Sequence, residues 1–527
     1  MILEQQNSFK RETGRLIEEP MTSLTGETEV LEAPRLFGRA KQVLEGLVAG
    51  KSLRARAFRG GAWMGSGSFA EQGARFVRNL ILVRLLAPAA FGTMAIVMSV
   101  ASVLQAFTEI GVREALIQNP RGGEPEFVNA AWWMAFVRGL STFSSLFLVA
   151  PWIARFYGNP ELTPLLRVAV SGLLLEGAMS ARAYVALKDM RFSRWAAIFH
   201  GGGIVGVVIT IILSFFIRDV WALVIGTTSE SVARCVLSYV ICPWTPSFRA
   251  DKEALRQLFK YSRGLFGLPL LNLIFMRTDV FVLGKLLPAA QLGLYTMGIA
   301  LAQVPAGFAS NVLYQIFVPT LSQIQGDKSR INRIVLQVTF LIATVGTPAL
   351  VFAYFCGGSF LTLVYGRLYA VSAGPLFLAA CAVLIGLANS QITGVFYAAG
   401  SPGLHRRCVG AMAVVMIILI YPLSKWLGPV GAQLASLISI MVGFGLQLER
   451  IRHLTALRIS GYGLSIAWAV SLSAVVVVAC LSGRLLVLPT SPLPNIMFGV
   501  VGCFFAYSLG GVMLLRHGKF PQGPLPE

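Results

Sequence analysis

The stretch LAPAAFG at residues 86–92 has a near copy, LPAAQLG, at residues 287–293, which is one residue longer between its proline and its glycine. Proline interrupts a helix, and small residues before a glycine form a tight connection. Extending the comparison backwards pairs RNLILVRLLAPAAFG at 78–92 with TDVFVLGKLLPAAQLG at 278–293, an offset of 200 residues. The match includes the helix before the turn, and it predicts that one helical hairpin occurs twice in the chain.

The composition is typical of an integral membrane protein. The 527 residues are 55% hydrophobic and 13% charged, with a mean hydropathy of +0.70, whereas soluble domains carry about 25% charged residues. An apolar segment of about 20 residues can cross a bilayer as a helix. The sequence predicts fourteen such spans, at residues 60–84, 92–117, 127–155, 162–181, 195–217, 220–242, 264–284, 292–324, 334–356, 372–398, 408–424, 430–448, 460–481 and 495–515.

The repeat determines the predicted architecture. The repeat distance covers an even number of spans, so both copies have the same orientation, and parallel repeats enclose a central site in many transporters. We predict an all-α integral membrane protein with fourteen transmembrane helices: two six-helix lobes related by an axis along the membrane normal, plus two C-terminal helices. The predicted segments are a cytoplasmic basic and amphipathic tail (1–59), an N-terminal lobe (60–242), a cytoplasmic linker (243–263), a C-terminal lobe (264–448), a final helix pair (460–515) and a cytoplasmic tail (516–527).

The net charge of +20 is compatible with nucleic-acid binding, but the distribution of the charges argues against it. Of the 44 Lys and Arg residues, 30 fall in alternate loops and the two tails, 5 fall in the opposite loops and 9 lie inside the spans. Cytoplasmic loops carry the excess of positive charge in membrane proteins. The bias therefore predicts that both termini are cytoplasmic and that the protein binds no nucleic acid.

Residues 1–59 precede the first predicted span, and we expect no cleavable signal peptide because they contain no apolar core. Acidic residues dominate up to Glu32 and basic residues follow, with hydrophobic residues at helical spacing between Leu36 and Val48. Two interpretations stay open for this tail. It is either a helix lying on an anionic membrane surface or a disordered segment that sets the orientation of the protein.

Two glycine-rich stretches resemble nucleotide-binding motifs without their context. GLVAGKS at 46–52 has three residues between its glycines, where a phosphate-binding P-loop needs four. GGGIVG at 201–206 has the dinucleotide-binding spacing but lies inside the fifth span, so small residues that let membrane helices approach closely explain it better. His200 beside it is then a helix-packing or interfacial residue. Seven Cys and four His without paired spacing predict no metal centre and no disulfide, and we expect no cofactor.

Charged residues inside the predicted spans are concentrated in the first seven. An Arg at mid-bilayer costs about 2.5–3.5 kcal/mol on insertion scales, so such residues face a cavity or a partner. Nine arginines and six acids lie in or at the rims of these spans, a net charge of +3. They are Arg75, Arg78, Arg84, Arg113, Arg138, Arg155, Arg167, Arg234 and Arg277, with Glu71, Glu109, Glu114, Glu176, Glu230 and Asp279.

The first interpretation of these charges is a cationic cavity. Arg75 and Arg78 share a face of the first span, Arg138 has no acid within a helical turn, and the nearest acid to Arg277 is Asp279, two residues away. We predict that these four arginines line the cavity. Guanidinium groups stay charged and form bidentate hydrogen bonds, so they suit a multivalent anion such as a diphosphate.

The second interpretation is a set of structural ion pairs. Three Glu–Arg pairs have the favourable spacing of four residues with Glu first, and the arginines near the outer ends of spans are expected to reach the interface. These pairs are Glu71–Arg75, Glu109–Arg113 and Glu230–Arg234. The candidates for ion coupling, by a proton or a sodium ion, or for ion pairing are Glu71, Glu109, Glu176, Glu230, Arg234 and Asp279.

Four segments resemble Wzx-type lipid-linked oligosaccharide flippases, from the polysaccharide-export branch of a superfamily that also contains lipid II flippases and multidrug extruders. They are ILVRLLAPAAFGTMAIV (81–97), FTEIGVREALIQ (107–118), FYGNPELTPLLRV (156–168) and RTDVFVLGKLLPAAQLGLY (277–295). The resemblance implies a V-shaped pair of six-helix lobes in the bacterial cytoplasmic membrane. Such lobes carry undecaprenyl-diphosphate-linked glycans from the cytoplasmic to the periplasmic leaflet by alternating access.

By this resemblance Arg75, Arg78 and Arg277 would contact the diphosphate. Asp279 completes an R-x-D pattern of the family, and Glu109 stands where relatives usually have Asp. The first repeated turn departs from the family, because relatives often have Pro-Glu-Asp-Phe-Gly where this chain has Pro-Ala-Ala-Phe-Gly. Carboxylates in that turn are therefore not required for transport here.

The resemblance also implies a moving structure and pathway partners. Rocking of the two lobes would bend helices at prolines, and the candidates are Pro269, Pro305 and Pro348. The expected partners are the lipid bilayer, the lipid-linked glycan, and the polymerase and glycosyltransferases of the same pathway.

Two other functions fit the sequence less well than a flippase. A multidrug or other lipid extruder on the same fold would need uncompensated carboxylates and aromatic residues, which the arginine excess disfavours. A membrane glycan polymerase or glycosyltransferase generally needs catalytic side chains in a large external loop, but the loops predicted at 357–371 and 482–494 contain no Asp or Glu. We predict a flippase for exopolysaccharide, capsule or O-antigen (lipopolysaccharide) synthesis, and not an enzyme.

Overall fold

The computed structural model describes residues 53–109, 111–248, 251–262, 268–323, 327–457, 459–486 and 492–517. The chain divides into two units, Met1–Arg59 and Gly60–Glu527. The helix or disordered segment expected between Leu36 and Val48 and most of the predicted C-terminal tail lie outside the described residues. The following paragraphs concern the second unit.

The described residues are helical, and they contain no strand. The first half of the chain forms α1 (Leu53–Leu85), α2 (Pro88–Thr108), α3 (Val112–Gln118), α4 (Pro125–Tyr157), α5 (Leu162–Gly177), α6 (Arg182–Lys188), α7 (Phe192–Phe216), α8 (Val220–Ile241) and α9 (Lys252–Ser262). The second half forms α10 (Leu268–Leu286), α11 (Ala289–Gln323), α12 (Lys328–Tyr365), a 3-10 helix (Arg367–Ser372), α13 (Ala373–Ala398), α14 (Pro402–Thr455), α15 (Ile459–Leu486) and α16 (Pro492–His517).

The helices are those of a multi-pass membrane protein, as the composition predicts. Among the described residues, seven helices are long and apolar enough to cross a membrane, or eight if α5 and α6, bent by 59° at a short break, form one span. The predicted total of fourteen spans, the two lobes and their symmetry axis stay predictions. We refer to residues 60–242 as the N-half and to residues 264–448 as the C-half.

Local sequence signals explain where several helices begin and end. Pro88 is the first residue of α2, where its missing N–H costs no helical hydrogen bond. Asp219 and Asp327 cap α8 and α12, since their carboxylates accept hydrogen bonds from the N–H groups of Val220 and Arg330. Helix α4 ends at Gly158 in the left-handed conformation that glycine adopts without strain.

One predicted boundary is wrong. The second predicted span, 92–117, is broken, because α2 ends at Thr108 and Gly111 adopts a left-handed φ of 64° before α3 begins. Predicted spans eleven and twelve both lie within α14, which consists of two helices that meet at a kink where Gly428 leaves helical geometry (φ 58°, ψ −134°). The turn at Gly428 and the following Pro429 falls where the loop between these two spans was expected.

The two copies of the repeated turn, residues 86–92 and 287–293, lie against each other; we call them the elbows. A Cβ atom on Gly92 would overlap the backbone O of Ala289 and lie 2.9 Å from the N of Gly293. A Cβ on Gly293 would overlap the backbone O of Pro88 and lie 3.0 Å from the N of Gly92. The contact is reciprocal, and only glycine at both positions lets the two backbones come this close.

The elbow contact corrects the register of the repeat. Helices α1 and α10 end at Leu85 and Leu286, and α2 and α11 begin at Pro88 and Ala289. Equivalent positions are therefore 201 residues apart, not 200 as the prolines suggest. The backbone contact makes Gly92 equivalent to Gly293. The prolines are not equivalent, because Pro88 is the first residue of α2 whereas Pro288 precedes the first residue of α11.

Other contacts between the halves lie beside the elbows. Helix α2 packs along α11 and α10. Lys285 of α10 donates a hydrogen bond to the backbone O of Phe156 and lies 4.9 Å above the centre of its ring. The Tyr157 hydroxyl donates to the backbone O of Phe281 at 3.5 Å. The largest buried apolar cluster also joins residues of both halves, among them Phe91 and Leu292.

The three proline candidates have different positions. Pro348 lies inside α12, and Pro305 lies within the bounds of α11. Pro269 is the second described residue of α10, directly after residues that lie outside the described chain. Bending at the three prolines stays a prediction.

The elbow contact predicts that Gly92→Val opens the junction between the halves. The added side chain has no room against Ala289, so the elbows must separate. In a cysteine-free background, a single cysteine at Ile96, which is buried beside Gly284 of α10, should be labelled several-fold faster by a membrane-impermeant maleimide. Gly410→Val is the matched control, because a Cβ at Gly410 meets nothing within 4 Å. Equal labelling rates in the two variants would contradict the elbow contact.

Candidate functional site

Arg75 of α1 is the centre of a charged network inside the N-half. Its Nη2 atom lies 2.7 Å from Glu71 Oε1 and 2.7 Å from Glu230 Oε1. Glu71 is one helical turn away on α1, whereas Glu230 comes from α8. The Glu230 side chain is 11% exposed, so its charge has little access to solvent. Arg75 therefore neutralises two acids from two different helices.

Arg234 of α8 extends the network. Its Nη2 atom lies 2.6 Å from Glu230 Oε1 and 3.8 Å from Glu71 Oε1. Its Nη1 atom lies 3.9 Å from Glu176 Oε1 on α5. The guanidinium also lies 5.3 Å from the centre of the Phe199 ring, a favourable cation–π distance. Two arginines and two closely paired glutamates thus compensate one another, and Glu176 lies at the margin.

His200 of α7 is a network member that the sequence analysis treated as a packing or interfacial residue. Its Nδ1 atom lies 2.7 Å from Glu71 Oε2, and because a carboxylate can only accept, Nδ1 carries the hydrogen. Among the residues that the structure describes, the buried Nε2 atom has no hydrogen-bond partner. The signal that could have identified His200 is its position next to GGGIVG, on the face of α7 that approaches α1.

The glycines of GGGIVG make room for this network. A Cβ on Gly203 would overlap the carboxylate of Glu71, and one on Gly202 would overlap Arg234 Cγ. A Cβ on Gly206 would lie 2.5 Å from Glu230 Cβ. The prediction that this stretch permits close helix approach is confirmed. The structure adds that the space is filled by charged side chains.

A second ion pair joins Arg138 of α4 to Glu109, with 2.6 Å between Nη1 and Oε2. Glu109 directly follows α2, and its other oxygen accepts a hydrogen bond from the N–H of Gly111 at 3.3 Å. The predicted helical pair Glu109–Arg113 does not form, because the helix breaks between the two residues. Arg113 instead pairs with Glu114, which leaves Glu109 available to Arg138.

A cavity of about 570 Å³ adjoins both groups of charges; we call it the central cavity. Arg138, Glu109, Glu176 and Arg234 line it from the N-half, and Asn272 of α10 lines it from the C-half. Its described lining does not include Arg75, Arg78 or Arg277. Of the four arginines predicted to line one cavity, the structure therefore places Arg138 on its wall.

Arg78 and Arg277 differ from the other two predicted arginines. The Arg78 guanidinium donates hydrogen bonds to Asn79 Oδ1 at 3.0 and 3.3 Å. Arg277 is exposed on α10. Within the part of the chain that the structure describes, no carboxylate oxygen lies within 4.0 Å of either guanidinium, whereas Arg75 and Arg138 each have one. Of the four predicted arginines, Arg78 in the N-half and Arg277 in the C-half are thus the two without a close acid among the described residues.

Asp279 lies on α10 two residues from Arg277, but Asp279 is buried whereas Arg277 is exposed. Its Oδ2 atom accepts a hydrogen bond from the Tyr295 hydroxyl at 2.6 Å, and Gln433 donates to the same hydroxyl at 2.6 Å. These three side chains join α10, α11 and α14. The buried Oδ1 atom has no hydrogen-bond partner among the described residues.

The fold and this interior define a helical multi-pass membrane protein with charged groups at its centre. A family model described as polysaccharide biosynthesis protein matches residues 81–373, more than half of the 527 residues. The chain therefore belongs to the polysaccharide biosynthesis protein family.

Similar proteins from several bacteria include two that are named for polysaccharide biosynthesis. The chain is 23% identical over 279 residues to the succinoglycan biosynthesis transport protein ExoT of Rhizobium meliloti, covering 52% of this chain and 56% of ExoT. It is 19% identical over 319 residues to the lipopolysaccharide biosynthesis protein WzxC of Escherichia coli, covering 60% of this chain and 64% of WzxC. A membrane protein of the cps region of Klebsiella pneumoniae is 23% identical over 73% of this chain and 80% of its own length. The match to ExoT spans about half of that protein.

Two solved structures share the fold. The lipid II flippase MurJ in an inward closed conformation has a TM-score of 0.67 at 13% identity, covering 86% of this chain and 99% of MurJ. An inward-facing multidrug transporter of the MATE family has a TM-score of 0.55 at 14% identity, covering 73% of this chain and 95% of that transporter. The family model bears out the predicted resemblance to polysaccharide-export proteins, and the two solved structures show the shared fold.

The network predicts strong energetic coupling between Arg75 and Glu230. Removing one partner leaves an uncompensated charge in a low-dielectric interior, which costs about 3–5 kcal/mol for a buried pair. Arg75→Gln and Glu230→Gln should each lower the melting temperature of the detergent-purified protein clearly, whereas the double variant should recover a large part of the loss. The measurement is a double-mutant cycle of thermal unfolding.

The matched control is the exposed pair of Arg121 and Glu124, whose charged atoms are 2.7 Å apart. The hydrogen bond from Arg121 lowers the pKa of Glu124, but solvent screens this pair. We expect a coupling too small to measure in the same cycle. Additive effects of Arg75→Gln and Glu230→Gln would contradict the buried network.

Proposed function

We propose that the protein is a flippase that moves undecaprenyl-diphosphate-linked oligosaccharide units across the bacterial cytoplasmic membrane, for exopolysaccharide, capsule or O-antigen synthesis. Family membership and the flippase fold support a role in polysaccharide biosynthesis within the membrane. The observation that carries the proposal is that Arg78 and Arg277 have no carboxylate within 4.0 Å among the described residues. They lie on α1 and α10, the two helices that lead into the elbows.

The four arginines take two roles in this proposal. Arg78 and Arg277 bind the diphosphate, because their guanidinium groups keep their charge without a competing acid and suit bidentate phosphate contacts. Arg75 neutralises Glu71 and Glu230, and Arg138 neutralises Glu109. Without those pairs the carboxylates would repel the anionic head group of the substrate.

In the conformation of the present structure, the elbows act as a closed gate between the halves. The charge bias predicts that they lie on the periplasmic face, with both termini in the cytoplasm. Their backbone contact closes the passage between the halves on that face, so the substrate enters from the cytoplasmic leaflet. Separation of the elbows, with bending of α11 and α12 at Pro305 and Pro348, then exposes the head group outside.

One partly buried acid and one buried acid are our candidates for ion coupling. Glu71 contacts His200 in the N-half, and Asp279 has an unpartnered Oδ1 atom among the described residues of the C-half. A proton or a sodium ion bound to either acid would remove the cost of a buried negative charge. The polymerase and glycosyltransferases of the pathway are proposed partners.

The proposal is tested by replacing the two arginines that lack a close acid. An Arg–phosphate hydrogen bond contributes about 1.5–3 kcal/mol, so Arg78→Gln with Arg277→Gln together should weaken binding of undecaprenyl diphosphate by at least about 100-fold. Surface polysaccharide in complemented cells should fall to the level of the deletion strain. Arg84→Gln with Arg155→Gln is the matched control, since both side chains are exposed at the outer ends of N-half helices.

Two outcomes decide the proposal. Wild-type binding and export in the Arg78→Gln, Arg277→Gln variant, with normal membrane insertion, would refute the assigned diphosphate site. Competition by organic cations but not by undecaprenyl diphosphate would instead favour a multidrug extruder. The charge-neutral variant Arg75→Gln with Glu230→Gln should keep diphosphate binding within a few-fold, because it removes one positive and one negative charge together.

A further inference from the structure

A second cavity, of about 700 Å³, lies at the other end of the N-half from the elbows; we call it the arginine cavity. It is bounded by the start of α4, by α6, by the start of α7 and by the segment after α8. None of its lining residues lines the central cavity. The positive-charge bias predicts that this face is cytoplasmic.

Three arginines and one acid line the arginine cavity: Arg182, Arg191 and Arg194 with Asp189. Among the described residues, no carboxylate oxygen lies within 4.0 Å of any of the three guanidinium groups, whereas Arg75, Arg138 and Arg234 all have such a partner. The cavity therefore carries an excess of positive charge. Like charges this concentrated repel one another unless an anion lies between them.

Hydrogen bonds anchor the chain on both sides of α6. Ser180 is buried; its N–H donates to Ser238 Oγ at 2.9 Å, and its hydroxyl donates to the backbone O of Cys242 at 2.9 Å. Lys188, the last residue of α6, donates to the backbone O of Asn119 at 2.6 Å. The three arginines lie beside these anchored positions, and their side chains are exposed and accessible to an anion.

The turn between α6 and α7 is strained. Met190 has a φ of 58°, one of two non-glycine residues with positive φ in the described chain. This left-handed conformation is unfavourable for a residue with a Cβ. Met190 stands between Asp189 and Arg191, so the strained conformation determines where both charges are presented.

The rest of the lining is apolar. Val128, Val185, Ala186 and Trp244 line the same cavity, and Trp244 contacts the ring of Trp132 with 6.3 Å between ring centres. Tryptophan is enriched where membrane helices meet the head-group layer. The volume lies in the range of about 300–1,000 Å³ typical of ligand pockets, which is more than a single phosphate ion fills.

We propose that the arginine cavity binds a phosphate-bearing anion at the cytoplasmic face, separately from the transported substrate. Basic pockets between helices on this face suit the phosphodiester of an anionic lipid, and three guanidinium groups offer bidentate contacts to its oxygens. The apolar lining accommodates the adjoining glycerol and first acyl carbons. A soluble phosphate would use the same arginines, and the two sources are separated by experiment.

The experiment uses the full chain in two arms. In the first, the protein is reconstituted in phosphatidylcholine nanodiscs containing phosphatidylglycerol, and native mass spectrometry counts the phosphatidylglycerol molecules retained. In the second, inorganic phosphate is added to detergent-purified protein at constant ionic strength, and the melting temperature is recorded. Neither arm depends on export, so failure here leaves the flippase proposal intact.

The first variant is Arg182→Gln, Arg191→Gln, Arg194→Gln. Its matched control, Lys252→Gln, Arg256→Gln, Lys260→Gln, removes three charges from exposed positions of α9. A second variant, Val185→Trp, fills the cavity and keeps all its charges. We expect both cavity variants to retain at least several-fold less phosphatidylglycerol than the wild type and the control.

The outcomes distinguish the sources of phosphate. Selective loss of phosphatidylglycerol supports a lipid, and a phosphate-induced rise in melting temperature that both cavity variants lose and the control keeps supports a soluble ligand. If neither arm distinguishes the arginine variant from its control, the proposal is wrong. If that variant does not fold, Val185→Trp decides alone, and wild-type retention and wild-type stabilisation by phosphate in it would overturn the proposal.

Discussion

The ion pairing of Arg75 with Glu71 and Glu230 is the constraint on which the interior of the N-half depends. A charge in the low-dielectric centre of a membrane protein is tolerated only with a partner of opposite charge. Here several of the partners lie on different helices, so these contacts also hold helices together. The contact of Arg75 with Glu230 brings α1 against α8, and His200 adds α7 through the carboxylate of Glu71. Glycine at three positions of α7 is the steric condition for this closeness. The same contacts thus neutralise the buried charges and pack the helices together.

This arrangement also determines which arginines remain available to an anionic substrate. Helix α1 carries Arg75, which is committed to two acids, and one turn later Arg78, which is bonded to an amide. The same helix then ends at the first elbow, whose glycine meets the glycine of the second elbow across the two halves. A change in the position of the elbows therefore moves the helices that carry Arg78 and Arg277. This mechanical connection is what the proposed transport cycle would use.

Much of the fold could be predicted from the sequence, and much of the site could not. The repeat identified both elbows and the helices beside them, and the spacing of four identified the Glu71–Arg75 and Glu230–Arg234 pairs, since both depend on local patterns. The pair Glu109–Arg113 was predicted wrongly because the break at Gly111 turns Glu109 towards Arg138 on another helix. His200 was undervalued for the same reason, because its carboxylate partner is 129 positions away in sequence.

The sequence by itself determined the membrane class, the family resemblance, the duplicated turn and which residue types could bind an anion. These properties follow from composition, periodicity and short motifs, which are local in the chain. Only the tertiary structure decided which arginines are compensated: Arg75 and Arg138 have carboxylates within 3 Å, and Arg78 and Arg277 have none within 4.0 Å among the described residues. The reason is physical, because electrostatic compensation depends on distance in space, and the decisive partners lie on different helices.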